Sequence, residues 1–566
     1  MRRKKQNLKL AAAVPGLLAA FALPAHGKSD PRDALLERLE KRVHELEQKL
    51  AAQPAAAKDA KQGGGALTSA SGDKQALDDL GRKVRVLERK FEVEKEVATD
   101  NAKKSPKFEM GSDGLRFTSA EGDHTVRLRG SLQGDAKVFM DDNARNAPSG
   151  SNSARGNNIA DRFELRQARL WLEGTLWKDI DFKIMQEFGG STSSLFDAYI
   201  DANYLPYAAL SVGKQKTPLS LERLQGDADG NFLERAYPTY LASNREVGVM
   251  LHGSFAKPGY ELEKRSGPVD FKNFVSYQLG VFNGSGDNTS PANVTTDTKD
   301  DKEFVGRIFA HPFQHSGVDI LDGLGVGIAG SWEQPMNRAV ASGTTATAAS
   351  LVSPIGQNAF LNYANQGARA NSGTSTITAN GDHYRLYPQA YWYYGPYGLL
   401  GEYVDSSQKL LASNGAATAA TTVKKTIQQD NHAWQIQASY VLTGEDNTFQ
   451  SVKPRAPFDP SAGNWGAFQV VGRLSGLTVD KASFSNLGST NSQFYLLDPT
   501  KSIQKANSFA VGLNWFLNKN VRIMTDFERT SFTGGGGTGA GTAASPYRVT
   551  DRPSENVWGT RFQLVF

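Results

Sequence analysis

Two periodicities divide the chain. Near the N-terminus, apolar residues recur at alternating intervals of three and four: Leu36, Leu39, Val43, Leu46 and Leu50, then Leu77, Leu80, Val84, Leu87 and Phe91. This is the a/d seam of a coiled coil, and it predicts helices that self-associate. The Ala/Pro/Lys/Gly stretch at 51–73 between them reads as a linker. From Thr125 onward the period drops to two. Val126, Leu128, Leu132, Ala136 and Val138 alternate with Arg127, Arg129, Gln133, Asp135 and Lys137, as in a strand with one lipid-facing and one wet face.

A soluble β-sandwich would alternate too, so the number of strands and the lengths of their connections have to decide. The pattern predicts strands at 125–141, 161–176, 179–189, 194–204, 208–216, 243–255, 268–284, 302–312, 321–335, 382–394, 397–407, 430–443, 464–477, 507–517, 520–531 and 554–566. An even count puts both ends of a barrel on one side, as bacterial barrels require. Every second connection is then periplasmic, and several are short: Trp177-Lys178-Asp179, Leu205-Pro206-Tyr207, Gly395-Pro396 and Asn518-Lys519. The alternate connections, such as 285–301, 336–381 and 478–506, are long and rich in Gly, Ser, Thr and Asn, as extracellular loops are. The segments 256–267 and 444–463 are longer than periplasmic turns should be, leaving room there for a further strand pair. In the last strand Trp558, Thr560, Phe562, Leu564 and Phe566 form one face, and the sequence ends on that phenylalanine.

Composition narrows the class. Arg2, Arg3, Lys4, Lys5 and Lys9 precede an apolar run from Leu10 to Leu23 and the small residues Ala25 and Gly27, which reads as a signal peptide over 1–27. Its removal takes five of the 64 basic residues, which leaves equal numbers of basic and acidic side chains, because Asp and Glu total 59. Net charge therefore offers no argument for a nucleic-acid partner. The absence of cysteine excludes disulfides, a thiol nucleophile and Cys-ligated zinc. No later run reaches the ~18 apolar residues of a spanning helix. The expected architecture is all-β: a 16-stranded antiparallel transmembrane barrel over 105–566 with a periplasmic α-helical coiled-coil extension over 28–104.

Several local patterns resemble the family of phosphate- and polyphosphate-selective porins O and P. They are Phe163 through Leu170 (FELRQARL), Asp197 through Asp201 (DAYID), Val212 through Leu219 (VGKQKTPL), Tyr440 through Glu445 (YVLTGE), Trp465 through Phe468 followed by Arg473, and Gly512 through Asn518 (GLNWFLN). Together they span roughly 114–566. The resemblance implies a homotrimer in the outer-membrane lipid, a third extracellular loop folded into the pore, and basic residues that guide small anions such as phosphate or polyphosphate. The third long-side connection, 217–242, contains Leu219, Leu221, Leu224, Phe232, Leu233 and Tyr237, the composition of a loop that packs against something.

An anion pore needs cations facing water in a narrow passage, and the arginine fork suits phosphate. Strand parity assigns Arg127, Arg129, Arg169, Arg307 and Arg473 to the lumen, and the constriction region adds Lys214, Lys216, Arg223, Arg235 and Arg245. Glu222, Asp227, Asp229 and Glu234 in the same loop leave a weakly selective general porin open as the alternative. An outer-membrane hydrolase would need Ser, His and a polar partner on one outer face, and no such set assembles from the pattern. His311 and His315 lack an acidic companion for a metal. The expectation is a passive channel with no catalysis, metal or cofactor. The coiled coil would reach into the periplasm, where it could contact the cell wall.

Overall fold

The computed structural model describes residues 81–83, 85–96, 105–140, 160–189, 193–263, 267–284, 300–342, 345–346, 351–361, 363, 376–414, 423–488, 495–539 and 545–566. The signal segment and the first heptad segment lie outside these residues. Within the N-terminal unit, residues 81–83 and 85–96 are helical, with the seam positions Leu87 and Phe91 exposed on this single chain.

The second unit is a closed antiparallel ring of 16 strands. In chain order these are β1 (Thr125–Met140), β2 (Arg162–Leu176), β3 (Ile180–Glu187), β4 (Ser194–Ala202), β5 (Ala209–Gln215), β6 (Glu246–Phe255), β7 (Val275–Phe282) and β8 (Glu303–Ala310). The ring continues with β9 (Leu324–Glu333), β10 (Thr376–Tyr394), β11 (Tyr397–Asn414), β12 (Val423–Val441), β13 (Ala467–Thr478), β14 (Ile503–Phe516), β15 (Val521–Thr538) and β16 (Glu555–Val565). Each strand pairs with its neighbour, and β16 closes on β1 from Val565↔Ser131 to Asn556↔Met140. Closure leaves no open edge in the ring, the condition for satisfying backbone groups in lipid. The alternation has its expected outcome: Leu128, Leu132, Leu170, Leu172, Val249, Leu279 and Ile436 look outward and are exposed, while Gln133, Gln167, Gln278 and Gln435 are buried inside.

The terminal Phe566 completes the closure. Its N–H donates to Gly130 O (2.9 Å) and its own carbonyl accepts from Gly130 N (2.8 Å). The ring covers Gly130 so closely that a Cβ there would lie 2.5 Å from Phe566 Cζ. Gly130→Leu is therefore expected to push the ring off the wall and cost about 1–3 kcal/mol by overpacking. A heat-modifiability assay on gels should show a lower melting temperature for the folded band, and an unchanged one would show that the ring yields freely.

Several elements differ from the sequence expectation, among them β7, which begins only at Val275, and β15, which runs on to Thr538. β10, β11 and β12 run far past their predicted ends on the loop side, because chain above the lipid needs no apolar face to stay paired. Among the described residues, the long periplasmic connections at 256–267 and 444–463 hold no strand pair; Phe271 just after the first and Phe449 within the second fold inward instead. Phe271 and Phe449 pack against Tyr391 and one another, with ring centroids 4.5–6.3 Å apart.

Candidate functional site: the lumen and its inward loop

The segment between β5 and β6 lies inside the ring. A short helix, Leu221–Leu224, starts on Ser220, and a 3₁₀ turn follows at Tyr237–Leu241. Wall side chains meet the loop's backbone along its length. Glu402 accepts from Leu221 N (2.8 Å), Arg522 donates to Ala228 O (2.9 Å), Asn514 donates to Asn231 O (3.0 Å) and Asp526 accepts from Leu233 N (2.7 Å). Arg561 donates to Leu233 O (2.6 Å) and Arg473 to Glu234 O (2.8 Å). The loop's carboxylates are anchors as well. Gln435 and Gln437 donate to Glu222 at 2.8 and 2.9 Å. Glu234 takes Arg166 Nη2 at 2.8 Å, with Arg561 at 3.3 Å and Lys137 at 3.7 Å. Burial pushes the Glu234 carboxyl up, but these cations together outweigh burial and hold it well below the usual carboxylate range.

Apolar packing closes one side of the lumen. Leu219, Tyr237, Tyr240 and Leu241 of the loop join Leu351, Phe360 and Leu361 from the β9–β10 connection, and Leu497 from the β13–β14 connection. They cover Met250, Val305, Tyr387, Val404, Leu477 and Phe532 of the wall. On the periplasmic side of the loop, Phe309, Tyr391 and Leu400 pack with Leu221, Phe271 and Phe449.

Water-accessible cations stand on the other side, along β1 to β4. Side-chain exposure is 39% for Arg166, 31% for Arg127, 27% for Arg129, 25% for Arg235 and 22% for Lys183, against 0% for Arg473 and 1% for Arg307. Two charge groups follow one another down this wall. In the throat, Arg169 pairs with Glu187 (2.6 Å) and Asp227, and Arg245 pairs with Asp197 (3.2 Å) and Asp227 (3.4 Å). Arg235 also holds Asp227, while Lys216 donates to Gln225 O (2.9 Å). Phe196 lies under both Arg169 and Arg245, at 4.3 and 4.6 Å. Burial pushes the Arg235 guanidinium down to about 10, so it keeps its charge at neutral pH. Toward the periplasm, Arg127 and Arg129 each lie 3.4 Å from Glu173, and Lys183 lies 3.7 Å from it. In these two groups Arg127, Arg129, Arg169, Lys183, Arg235 and Arg245 face Glu173, Glu187, Asp197 and Asp227, six cations to four carboxylates, while burial beside Arg245 and Arg235 disfavours the charge on Lys216.

The residues singled out from sequence thus part company. Arg127, Arg129, Arg169, Lys216, Arg235 and Arg245 come together on one wall. Lys214 shares a cross-strand row with Ala198 and Val247, an outward-facing row, and its ammonium donates to Leu195 O (2.7 Å). Arg223 donates to Thr239 O within the loop. Arg307 is sandwiched between Phe271 and Phe309 (4.8 and 4.6 Å) and bonds Gln278 and Gln389. Arg473 lies behind the loop on Glu528 (3.0 Å).

Sequence reasoning missed Arg166 and Lys183. Lys183 shares the inward parity of Asp181 and was legible. Arg166 was not, because a β-bulge opposite Gln133 and Gly134 inserts it between the paired residues Leu165 and Gln167.

Other chemistry in the lumen is packed away. His383 lies between Glu333 (2.8 Å) and Ser406 (3.2 Å), a serine–histidine–carboxylate series, yet all three are at most 2% exposed inside the barrel, where no lipid ester reaches them. Asp135, Glu164 and Glu234 lie within 4.8 Å of one another, but Arg561, Lys137 and Arg166 already neutralise them.

A family model described as phosphate-selective porin O and P matches residues 136–566. No curated protein matches the chain. Among solved structures, the outer-membrane protein OmpT of Vibrio cholerae is 12% identical, with 78% of this chain and 98% of that one covered and a TM-score of 0.42. An anion-selective porin from Comamonas acidovorans is 11% identical over 78% of this chain and 100% of its own, with a TM-score of 0.41. Likeness at that level carries no argument about what passes through this barrel.

Proposed function

The chain belongs to the family of phosphate-selective porins O and P, and from that membership we propose that its channel is selective for small anions, with phosphate and polyphosphate as the solutes. It is an outer-membrane porin. The observation that carries the anion reading is the placement of charge. In the two charge groups on the β1–β4 wall, cations outnumber carboxylates, and the inward loop lies beside Arg169, Arg235 and Arg245. A dehydrating phosphate can exchange water for guanidinium donors there, and the nearby carboxylates keep the site weak enough for the ion to leave. Arg127, Arg129 and Lys183 then receive it toward the periplasm. We read the N-terminal heptads as a periplasmic coiled coil that trimerises the protein and reaches toward the cell wall, with residues 1–27 removed on export.

Phosphate added to a KCl bath is expected to block the chloride current through single channels in planar bilayers saturably. A chloride current that phosphate leaves unchanged would make this a general porin on the family's scaffold.

A further inference from the structure

Ahead of the barrel lies a hairpin, Lys107–Gly111 and Gly114–Thr118, that neither closes the ring nor enters the lumen. It pairs with the first residues of β1, from Thr118↔Thr125 to Leu115↔Leu128. β16 and the following Phe566 reach β1 only from Gly130 upward, so the hairpin occupies the flank of β1 just below the C-terminus. Residues opposite one another across an antiparallel pair share a face. The pairs Phe108↔Phe117 and Met110↔Leu115 therefore lie on the face that continues through Val126 and Leu128 of β1. Phe108, Met110 and Phe117 are 54%, 82% and 51% exposed, and the face runs on into the outward row of Leu128 and Leu132. Lys107, Glu109 and Arg116 take the opposite face, where Arg116 and Glu109 pair at 3.8 Å. The hairpin is level with the β2–β3 turn, since Thr125 also pairs with Thr175, and the exposed Trp177 of that turn marks the height of the interfacial aromatics.

We propose that this hairpin is a membrane-contacting apron, its apolar face seated in the periplasmic leaflet of the outer membrane with phospholipid as its partner. Continuity selects lipid over a soluble partner: the apolar row on the hairpin is the same row that β1 presents to acyl chains. Two strands with one apolar and one charged face lie in the interface as an amphipathic helix does, roughly 5–10 Å deep.

The cysteine-free sequence permits a clean test. The full chain carrying Met110→Cys, Glu109→Cys or Leu132→Cys, each labelled with an environment-sensitive NBD dye, is reconstituted in phospholipid vesicles with or without nitroxide-labelled lipid. The Met110 dye is expected to emit at shorter wavelength and to be quenched, as the Leu132 dye on the barrel wall is, while the Glu109 dye is not. Equal, weak quenching at Met110 and Glu109 with strong quenching at Leu132 would overturn the proposal while leaving the barrel in the membrane. A Met110 dye that is blue-shifted but insensitive to nitroxide lipid, and that self-quenches as labelled protein density rises, would assign the face to a second copy of the chain and overturn it equally.

Discussion

With Arg129 and Arg235 both replaced by alanine, the ratio of anion to cation permeability is expected to fall at least tenfold, a shift of ~1.4 kcal/mol or more. The measurement is the reversal potential of single channels in a KCl gradient. A unit charge about 8 Å from a passing ion is worth roughly 2 kcal/mol at an effective dielectric constant of 20, and screening over a Debye length of about 10 Å reduces that to near 1 kcal/mol. The anion loses this stabilisation and the cation is relieved of the same penalty, so one removed charge already moves the difference by more than the tenfold asks. These two arginines suit the test because neither leaves a carboxylate stranded. Glu173 keeps Arg127 and Lys183, and Asp227 keeps Arg169 and Arg245. Lysine at both positions should restore most of the ratio. A ratio unchanged by the alanines would remove both residues from the selective path.

Arg561→Ala is expected to free the inward loop, raising mean conductance and current noise and lowering the heat stability of the barrel. Arg561 grips Asp135 with two bonds (2.7 and 2.8 Å) while its third nitrogen holds Leu233 O. Removing it strands a fully buried carboxylate, a change that typically costs about 3–5 kcal/mol. Asp526 and Arg473 would still hold the neighbouring backbone, so partial release is the expected state rather than loss of the loop. Conductance and noise indistinguishable from the parent would show that the other anchors suffice. Moderate acid should leave the Glu234 anchor of the loop in place. Because the Glu234 carboxyl is depressed in the folded protein, its contribution is present above its unfolded pKa and is lost only as pH falls through the much lower folded value.

The ring was legible because lipid imposes a strict rule: every second residue of a crossing strand must be apolar, and a phase error shows at once. Each of the 16 expected segments overlaps one strand of the ring. What escaped the pattern lies where lipid makes no demand. The hairpin at 107–118 is short and stands outside the ring. The upper parts of β10 to β12 alternate weakly above the membrane, Phe449 turns inward from a connection with no period, and Phe271 turns inward from the first part of the expected strand 268–284, which is strand only from Val275. Within the site, parity turns Arg129, Arg169, Arg307 and Arg473 alike to the inner face and cannot distinguish a lumen residue facing water, such as Arg129, from one sealed behind a loop, such as Arg473 or Arg307. That distinction depends on which wall the apolar half of the loop covers, a long-range packing choice made by Tyr237, Tyr240 and Phe360 together. Arg166 was lost to a bulge that no local composition announces.

The central claim is that solutes pass along the β1–β4 wall and not across the rest of the lumen. Single cysteines at Arg129, Arg166 and Lys183 and, on the covered side, at Arg307, Arg385 and Arg473 can be tested by adding a charged, water-soluble thiol reagent during single-channel recording. Rapid modification with a stepwise fall in current is expected at the first three positions, and none at the last three. Modification at Arg307 or Arg473 as fast as at Arg129 would contradict the account, placing the open path on the side assigned here to apolar packing.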